Sequence, residues 1–262
     1  MIHPTAIIAP TAQLAPDVLV GPYAVIDAHV TLGPGCVVGP HAHLTGHTSI
    51  GARNRFHAGC VIGDAPQDLK YRDEPTRLVI GEDNVFREHV TVHRSNKLAE
   101  DTIIGSHNFL MANAHVGHNA RLGDHVILAN GVLLAGHVEV GDRAFLSGNA
   151  IVHQFCRVGP LALMQGGAAL SQDLPPFCVM TGLNQLCGLN VIGLRRNGFS
   201  AADRTELKRA YHRLFRGTEN WRDAAQAIEA ASPGAAVRQV LAFLQASKRG
   251  FCRHGGGTVG DE

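Results

Sequence analysis

Apolar residues return at every sixth position along most of this chain. From Ile2 the series Ile8, Leu14, Val20, Ile26, Leu32, Val38, Leu44, Ile50, Phe56 and Ile62 keeps one phase, and the phase resumes from Ile80 through Leu170. Of the twenty-nine sites in this phase twenty-seven are apolar, the exceptions being Asp68 and Glu74. Glycine often follows the apolar residue, as at Gly21, Gly33, Gly51, Gly105, Gly117, Gly123, Gly141 and Gly159. Neither the 3.6-residue period of a helix nor the two-residue period of an ordinary strand produces this pattern. A six-residue unit is one short strand plus a turn, and three such units close a triangular coil. Stacked coils pair each strand with the one below at about 4.8 Å. One apolar residue per unit then fills an axis that no single coil could bury alone. The pattern predicts a mainly β fold, a hexapeptide parallel β-helix over residues 1–180.

Two stretches break the rhythm. Residues 68–79 (DLKYRDEPTRLV) span two hexapeptide lengths with both phase sites polar, and residues 93–103 keep only Leu98 in phase. Both read as loops extruded from the solenoid, where function tends to sit. After Leu170 the phase is lost, Pro175-Pro176 marks an exit, and 181–199 reads as a connector. A small C-terminal α-helical domain is expected over 200–250. Ser200-Ala-Ala-Asp203 is a capping box for a helix to about Phe215, Asn220 to Ala231 reads as a second helix, and Ser232-Pro233 opens a third ending near Ser247. The Gly-rich 251–262 reads as a disordered tail.

Composition narrows the function classes. Lys plus Arg is 23 and Asp plus Glu is 22, so no global charge favours nucleic acid or a membrane surface. Six cysteines are scattered without a CxxC pair, which favours a reducing compartment. The N-terminus lacks a charged segment followed by an apolar run, and no eighteen consecutive residues are apolar. A soluble cytoplasmic protein is expected.

The register gives meaning to four of the sixteen histidines. With eighteen residues per coil, His153, His118 and His137 leave remainders of nine, ten and eleven. They are therefore expected at one corner of the prism on three adjacent coils, with His115 a little further round. None is an axial position. Imidazoles gathered on an outward corner suit either proton transfer or metal binding, whereas His3, His29, His41, His43 and His47 read as surface residues.

At these residues the chain resembles the UDP-N-acetylglucosamine O-acyltransferase family of lipid A biosynthesis, hexapeptide-repeat acyltransferases. QDLKY with EPTR (67–71 and 74–77), NAHVGH (113–118), LAGHV (134–138), VHQFC (152–156), QDLPPF (172–177) and RRNGFS (195–200) occur in the family's order. The likeness runs from near residue 1 to about 250. It implies a left-handed β-helix, a homotrimer whose neighbouring subunit supplies the other wall of a corner site, and no cofactor or metal. The implied reaction moves a (3-hydroxy)acyl chain from an acyl-carrier protein to the 3-position of UDP-N-acetylglucosamine, the first step of lipid A synthesis.

Residue by residue, the resemblance makes His118 the general base and the backbone N–H of Gly136 the donor to the thioester oxyanion. It has His115, His137, His153 and Gln154 line the sugar and acyl portions, with Asp68 and Lys70 reaching in from the first loop. Asn190 and Arg196 would contact the nucleotide, and Gly166 matches the position limiting acyl length, open here to a longer chain. Arg195, Arg196, Arg204, Lys208, Arg209, Arg213 and Arg216 form a basic stretch suited either to plain solvation or to docking an acidic carrier protein.

The chain also departs from the family. Asn119 stands where many members have an acid, and Ile192 and Asn197 stand at acidic and basic nucleotide contacts. NRFH (54–57) and GLNVIG (188–193) look more like members that acylate a 3-amino sugar. N-acylation of that analogue is one alternative. Another is a zinc-dependent hydrolyase similar to γ-class carbonic anhydrases, with ligands drawn from His115, His118, His137 and His153.

Overall fold

The computed structural model describes residues 1–255. Strands of two to four residues alternate with tight turns from Ile7 to Thr181. They stack into three sheets of nine, eight and eleven strands, each strand hydrogen-bonded to its counterparts on neighbouring coils. Ile8 pairs with Ile26 and Leu44 with Ile62, one coil on in each case. The phase residues fill the axis, with Phe56 and Phe86 stacked at 4.8 Å between the aliphatic layers. Pairing is parallel except where Cys178–Thr181 meets Gln185–Leu189. A ladder of buried asparagines also links coils, for Asn54 Oδ1 accepts from the Asn84 N–H and Asn84 Oδ1 from the Asn108 N–H.

Both extruded loops are shorter than the sequence suggests. Arg77–Ile80 is a strand between His47–Ile50 and Asp101–Ile104, so irregular chain is confined to about 65–76 and 94–100. Ile62 pairs with Val92 and Val92 with Val116, which makes the insertions twelve and six residues beyond one coil. Leu98 keeps the phase by coincidence, being 61% exposed on the second loop.

Each corner places one residue in the left-handed region, where Asn, Asp and His are tolerated better than most side chains. His29, His41, His89, His107, His125 and His137 all occupy such positions, with φ between +53° and +65°. Six of the sixteen histidines thus have a conformational reason to be there. Another corner position needs no N–H, and seven of the twelve prolines take it: Pro4, Pro10, Pro16, Pro22, Pro34, Pro40 and Pro160.

The region expected to be a connector is ordered, containing the strand Gln185–Leu189 and a short helix α1 (Val191–Arg196). α2 (Ala201–Arg216) opens on the expected capping box, with Ser200 and Asp203 bonded reciprocally. α3 (Trp221–Ala230) is capped by Asn220. α4 (Ala235–Gln245) starts later than Ser232-Pro233 suggests, because Ser232 is left-handed (φ 52°) and Gly234 becomes the N-cap. Gly234 has no side chain to cap with, and its own N–H donates to Glu206 of α2 at 3.0 Å. The expected disordered tail begins ordered. Phe251 and Cys252 are buried, Trp221 meets Phe251 edge-on at 5.1 Å, and Arg253–His254 pairs with Gln185–Leu186. The rest of that expectation, 256–262, lies outside the described residues.

Candidate active site

The strand His115–Val116 ends at Gly117, and the chain turns a corner through His118 and Asn119. His115 and Val116 lie between Thr91 and Val92 on one side and Leu133 and Leu134 on the other. A groove of about 640 Å³ runs along this face, lined by Gln67, Thr91, His93, His115, His118, Leu133, Gly136, Ile151 and Gln154 among others. It begins beneath the first loop, is polar around the histidines, and turns apolar where Leu133 and Ile151 lie exposed.

His118 is held from one side only. Its Nδ1 lies 2.9 Å from Asn119 Oδ1. Neighbours fix which end of the Asn119 amide is oxygen, since the backbone N–H of Asn96 donates to that atom at 3.0 Å. The amide nitrogen faces acceptors, Ser95 Oγ at 2.7 Å and Glu100 Oε2 at 3.0 Å. An oxygen can only accept from His118, so Nδ1 carries the proton and Nε2 presents a lone pair. Nε2 makes no hydrogen bond among the described residues.

Gly136 sits one coil from His118, against the face of its ring. A Cβ at Gly136 would come within 2.6 Å of both Cε1 and Nε2, so only glycine lets the imidazole lie there. Gly136 shares its corner position with the seven prolines, and its N–H accordingly has no backbone acceptor among the described residues. The lone pair of His118 and an unspent donor therefore flank the same groove.

Burial disfavours the charged form of the two histidines beside His118. His115 is driven down to about 4, first by burial and then by His93 and His118 nearby. Burial likewise lowers His93, which is only 6% exposed and meets His115 edge-on at 4.9 Å. His115 Nδ1 bonds with Thr91 Oγ1 at 2.8 Å, while Nδ1 of His93 is buried without a partner among the described residues. Asp68 lies below the usual carboxylate range, held by the Lys70 N–H and then by the Asn96 amide. Glu100 is lowered mainly by Lys97, whose ammonium is 3.0 Å away.

The sequence-derived candidates divide. His115, His118, Gly136 and Gln154 come together in the groove, and Asp68 approaches through the bond from Asn96 Nδ2 at 2.7 Å. His137 meets His118 edge-on at 5.3 Å but stacks on Phe155 at 4.6 Å behind it. His153 is exposed, donating from Nδ1 to the Gln154 carbonyl, so the expected three-coil stack of imidazoles is not formed. The remainders hide this because a difference of two turns the side chain to another side of the corner. Lys70 is exposed on the loop, and Arg196 is exposed on the last turn of α1. Asn190 is committed within the chain, accepting from the Gly193 N–H and donating to the Leu161 carbonyl. At Gly166 an added Cβ would meet only the Gly148 carbonyl, at 3.4 Å. Among the described residues no three His, Cys, Asp or Glu side chains are arranged to hold a metal ion.

Sequence reasoning missed His93, Thr91 and Gln67. Adding the six residues of the second loop gives His93 the same remainder as His153, so the signal was present once that insertion is known.

Comparison with known proteins places this geometry in a family. A family model described as UDP N-acetylglucosamine O-acyltransferase, domain 2, matches residues 173–252, and one for bacterial transferase hexapeptides matches 29–64 and 101–136. An acyl-[acyl-carrier-protein]–UDP-N-acetylglucosamine O-acyltransferase of Syntrophobacter fumaroxidans is 46% identical over 256 residues, covering 96% of this chain and 99% of that protein. The chain belongs to this family. A relative of the same name from Paraburkholderia phytofirmans is 46% identical over 259 residues, covering 96% of this chain and 99% of its own length. The Francisella novicida UDP-N-acetylglucosamine acyltransferase structure superposes with a TM-score of 0.94 at 33% identity, covering 98% of this chain and 95% of that one. That of Acinetobacter baumannii gives 0.92 at 36%, covering 96% and 99%. The solenoid is thus the left-handed parallel β-helix of this acyltransferase family, followed by its helical region.

Proposed function

We propose that this enzyme transfers an acyl chain from an acyl-carrier protein to the 3-hydroxyl of UDP-N-acetylglucosamine, the entry step of lipid A synthesis. The names of the relatives support the reaction class. The observation that carries the mechanism is the fixed tautomer of His118 beside the free N–H of Gly136. Nε2 accepts the proton of the sugar hydroxyl as its oxygen attacks the thioester carbon. General base catalysis of this kind is worth ~10²–10⁴ in rate. The Gly136 N–H donates to the carbonyl oxygen as it becomes an oxyanion, a contribution of roughly 10²–10³. Collapse reforms the carbonyl and expels the carrier thiol, which takes the proton back from the His118 imidazolium.

The groove's change from polar to apolar fits the two ends of the reaction. His93 and His115, whose charged forms burial disfavours, offer hydrogen bonds to a sugar together with Thr91 and Gln154. Leu133, Ile151 and Ala169 lie on successive coils of the same sheet, a strip rising about 4.8 Å per step that suits an acyl chain. The bare Gly166 leaves the corner beside its far end open to a longer chain. The basic residues exposed on α1 and α2, among them Arg195, Lys208 and Arg209, suit an acidic carrier protein. His137, His153, Lys70, Asn190 and Arg196 do not line the groove of a single chain, which favours a homotrimer that brings further walls to the corner. No helix among the described residues is long and apolar enough to cross a membrane; a cytoplasmic site of action fits the carrier-protein donor.

The test offers UDP-N-acetylglucosamine and its 3-amino analogue, each with carrier thioesters of graded length, to the native protein and to His118→Ala. Ester formation that falls at least ~10²-fold in the variant supports the reading. Exclusive amide formation would move the chemistry to N-acylation, and undiminished turnover by folded His118→Ala would remove the assigned base.

A further inference from the structure

The position after His118 carries an amide, yet a carboxylate lies one bond further on. We infer that Glu100 of the second loop is a positioning residue for His118, acting through the side chain of Asn119. The inference rests on the acyl-transfer reading, because it assigns Glu100 to the same proton transfer.

Three groups of one short loop clamp the Asn119 amide. Asn96 donates its backbone N–H to Oδ1, while Ser95 Oγ and Glu100 Oε2 both accept from Nδ2. Ser95 is an acceptor there because its own proton goes to the Lys97 carbonyl at 3.0 Å. Glu100 is the only charged member of the clamp. Asn119 is itself 5% exposed, and its backbone N–H is spent on Thr102 Oγ1 at 2.7 Å, so the amide has no other place to turn. A carboxylate on Nδ2 draws electron density toward Oδ1, and that oxygen faces the N–H of His118. When Nε2 takes a proton, the imidazolium meets this chain of aligned dipoles ending in a negative charge. An amide alone would hold the tautomer, whereas the carboxylate also favours the charged form of the base.

Other groups face the same atoms. Lys97 pairs with Glu100 Oε1 at 3.0 Å, His137 Nδ1 lies 3.8 Å from Oε2, and Asp68 of the first loop, His93 of the neighbouring coil and His115 of the same coil surround His118. Asp68 bears the same sign of charge as Glu100, so part of the field on His118 survives loss of Glu100. The effect of Glu100 alone is therefore expected to be partial.

The experiment uses the full-length protein, Glu100→Gln, Asn119→Asp and the double variant. In Glu100→Gln the kcat/KM should fall about tenfold, mostly in kcat, and the acid limb of its pH profile should move to lower pH. Asn119→Asp alone sets two carboxylates side by side and should also lose activity. The double variant transposes carboxylate and amide: the carboxylate beside His118 accepts from Nδ1, and the amide on the loop donates to that carboxylate. It should recover most of the lost activity. Imidazole ¹⁵N spectra of His118 give a readout independent of turnover, with the Nδ1–H tautomer kept at high pH in both proteins and the protonation midpoint moved to lower pH in Glu100→Gln. Failure of the double variant to exceed both single variants, or an unmoved acid limb in Glu100→Gln, would overturn the positioning role. Absence of acyl transfer by the native protein would instead overturn the functional reading, with the ¹⁵N result still standing.

Discussion

Gly136→Ala tests the geometry with one methyl group. Gly136 is outside the left-handed region, so alanine adopts its backbone without strain, and its N–H is retained. The nearest obstacle is His118, whose Cε1 and Nε2 would lie 2.6 Å from the new Cβ where ordinary contact begins at 3.4 Å. The ring must retreat by about 0.8 Å, and its 2.9 Å bond to Asn119 must stretch or swing with it. A displacement of about 1 Å in a reacting group costs roughly 10²-fold in rate, or about 2.7 kcal/mol in the barrier. The corner is a turn outside the axial core, so thermal unfolding should barely change. Initial rates of acyl transfer, measured beside a thermal melt, give both numbers. Near-native turnover by a folded Gly136→Ala would show that the imidazole does not act from the place the structure assigns it.

Two further outcomes follow from burial. His115 titrates at about 4 in the folded protein against ~6.5 unfolded, so below pH 6.5 the unfolded chain takes up a proton that the folded one refuses. Stability should fall as pH drops from about 6.5 to about 4, by at most on the order of 3 kcal/mol from this group; His115→Asn should flatten that part of a urea-denaturation profile, and an unchanged slope would refute the assignment. Asp173 is 1% exposed and pairs with Arg157 at 2.8 Å, while Arg157 also donates to the Phe243 carbonyl of α4 and Ser247 donates to Asp173. Asp173→Ala leaves Arg157 uncompensated between the last coil and the helices, and should cost roughly 3–5 kcal/mol in denaturant unfolding; a loss below about 1 kcal/mol would contradict it.

The sixfold rhythm made the solenoid, its axis and both interruptions legible, because an axial residue must be apolar on every coil whatever else the chain does. It also brought His118 and His137 to one corner, whereas Gly136 came only from the family resemblance. Its limit was arithmetic: a fixed count of eighteen fails across an insertion of unknown effective length, so His93 stayed invisible and Leu98 passed for axial. The histidine count misled for a related reason. Left-handed corner positions recruit His for backbone geometry, and His137, which reads as a member of the imidazole stack, has that reason to be there at φ 59°.

What no periodicity could supply is closure of the hydrogen-bond network around the base. Asn119 in place of an acid leaves open, from the sequence, which group orients His118. The structure answers this because hydrogen-bonding groups must be satisfied when buried. Asn119 has two ends and both are used, the oxygen by Asn96 and His118 and the nitrogen by Ser95 and Glu100. A buried aspartate in its place would present a second anion to Glu100 about 3 Å away, the distance the amide now spans at 3.0 Å. The amide and the loop carboxylate are therefore a matched pair, and the departure at 119 is intelligible only together with residue 100, nineteen positions earlier on an extruded loop.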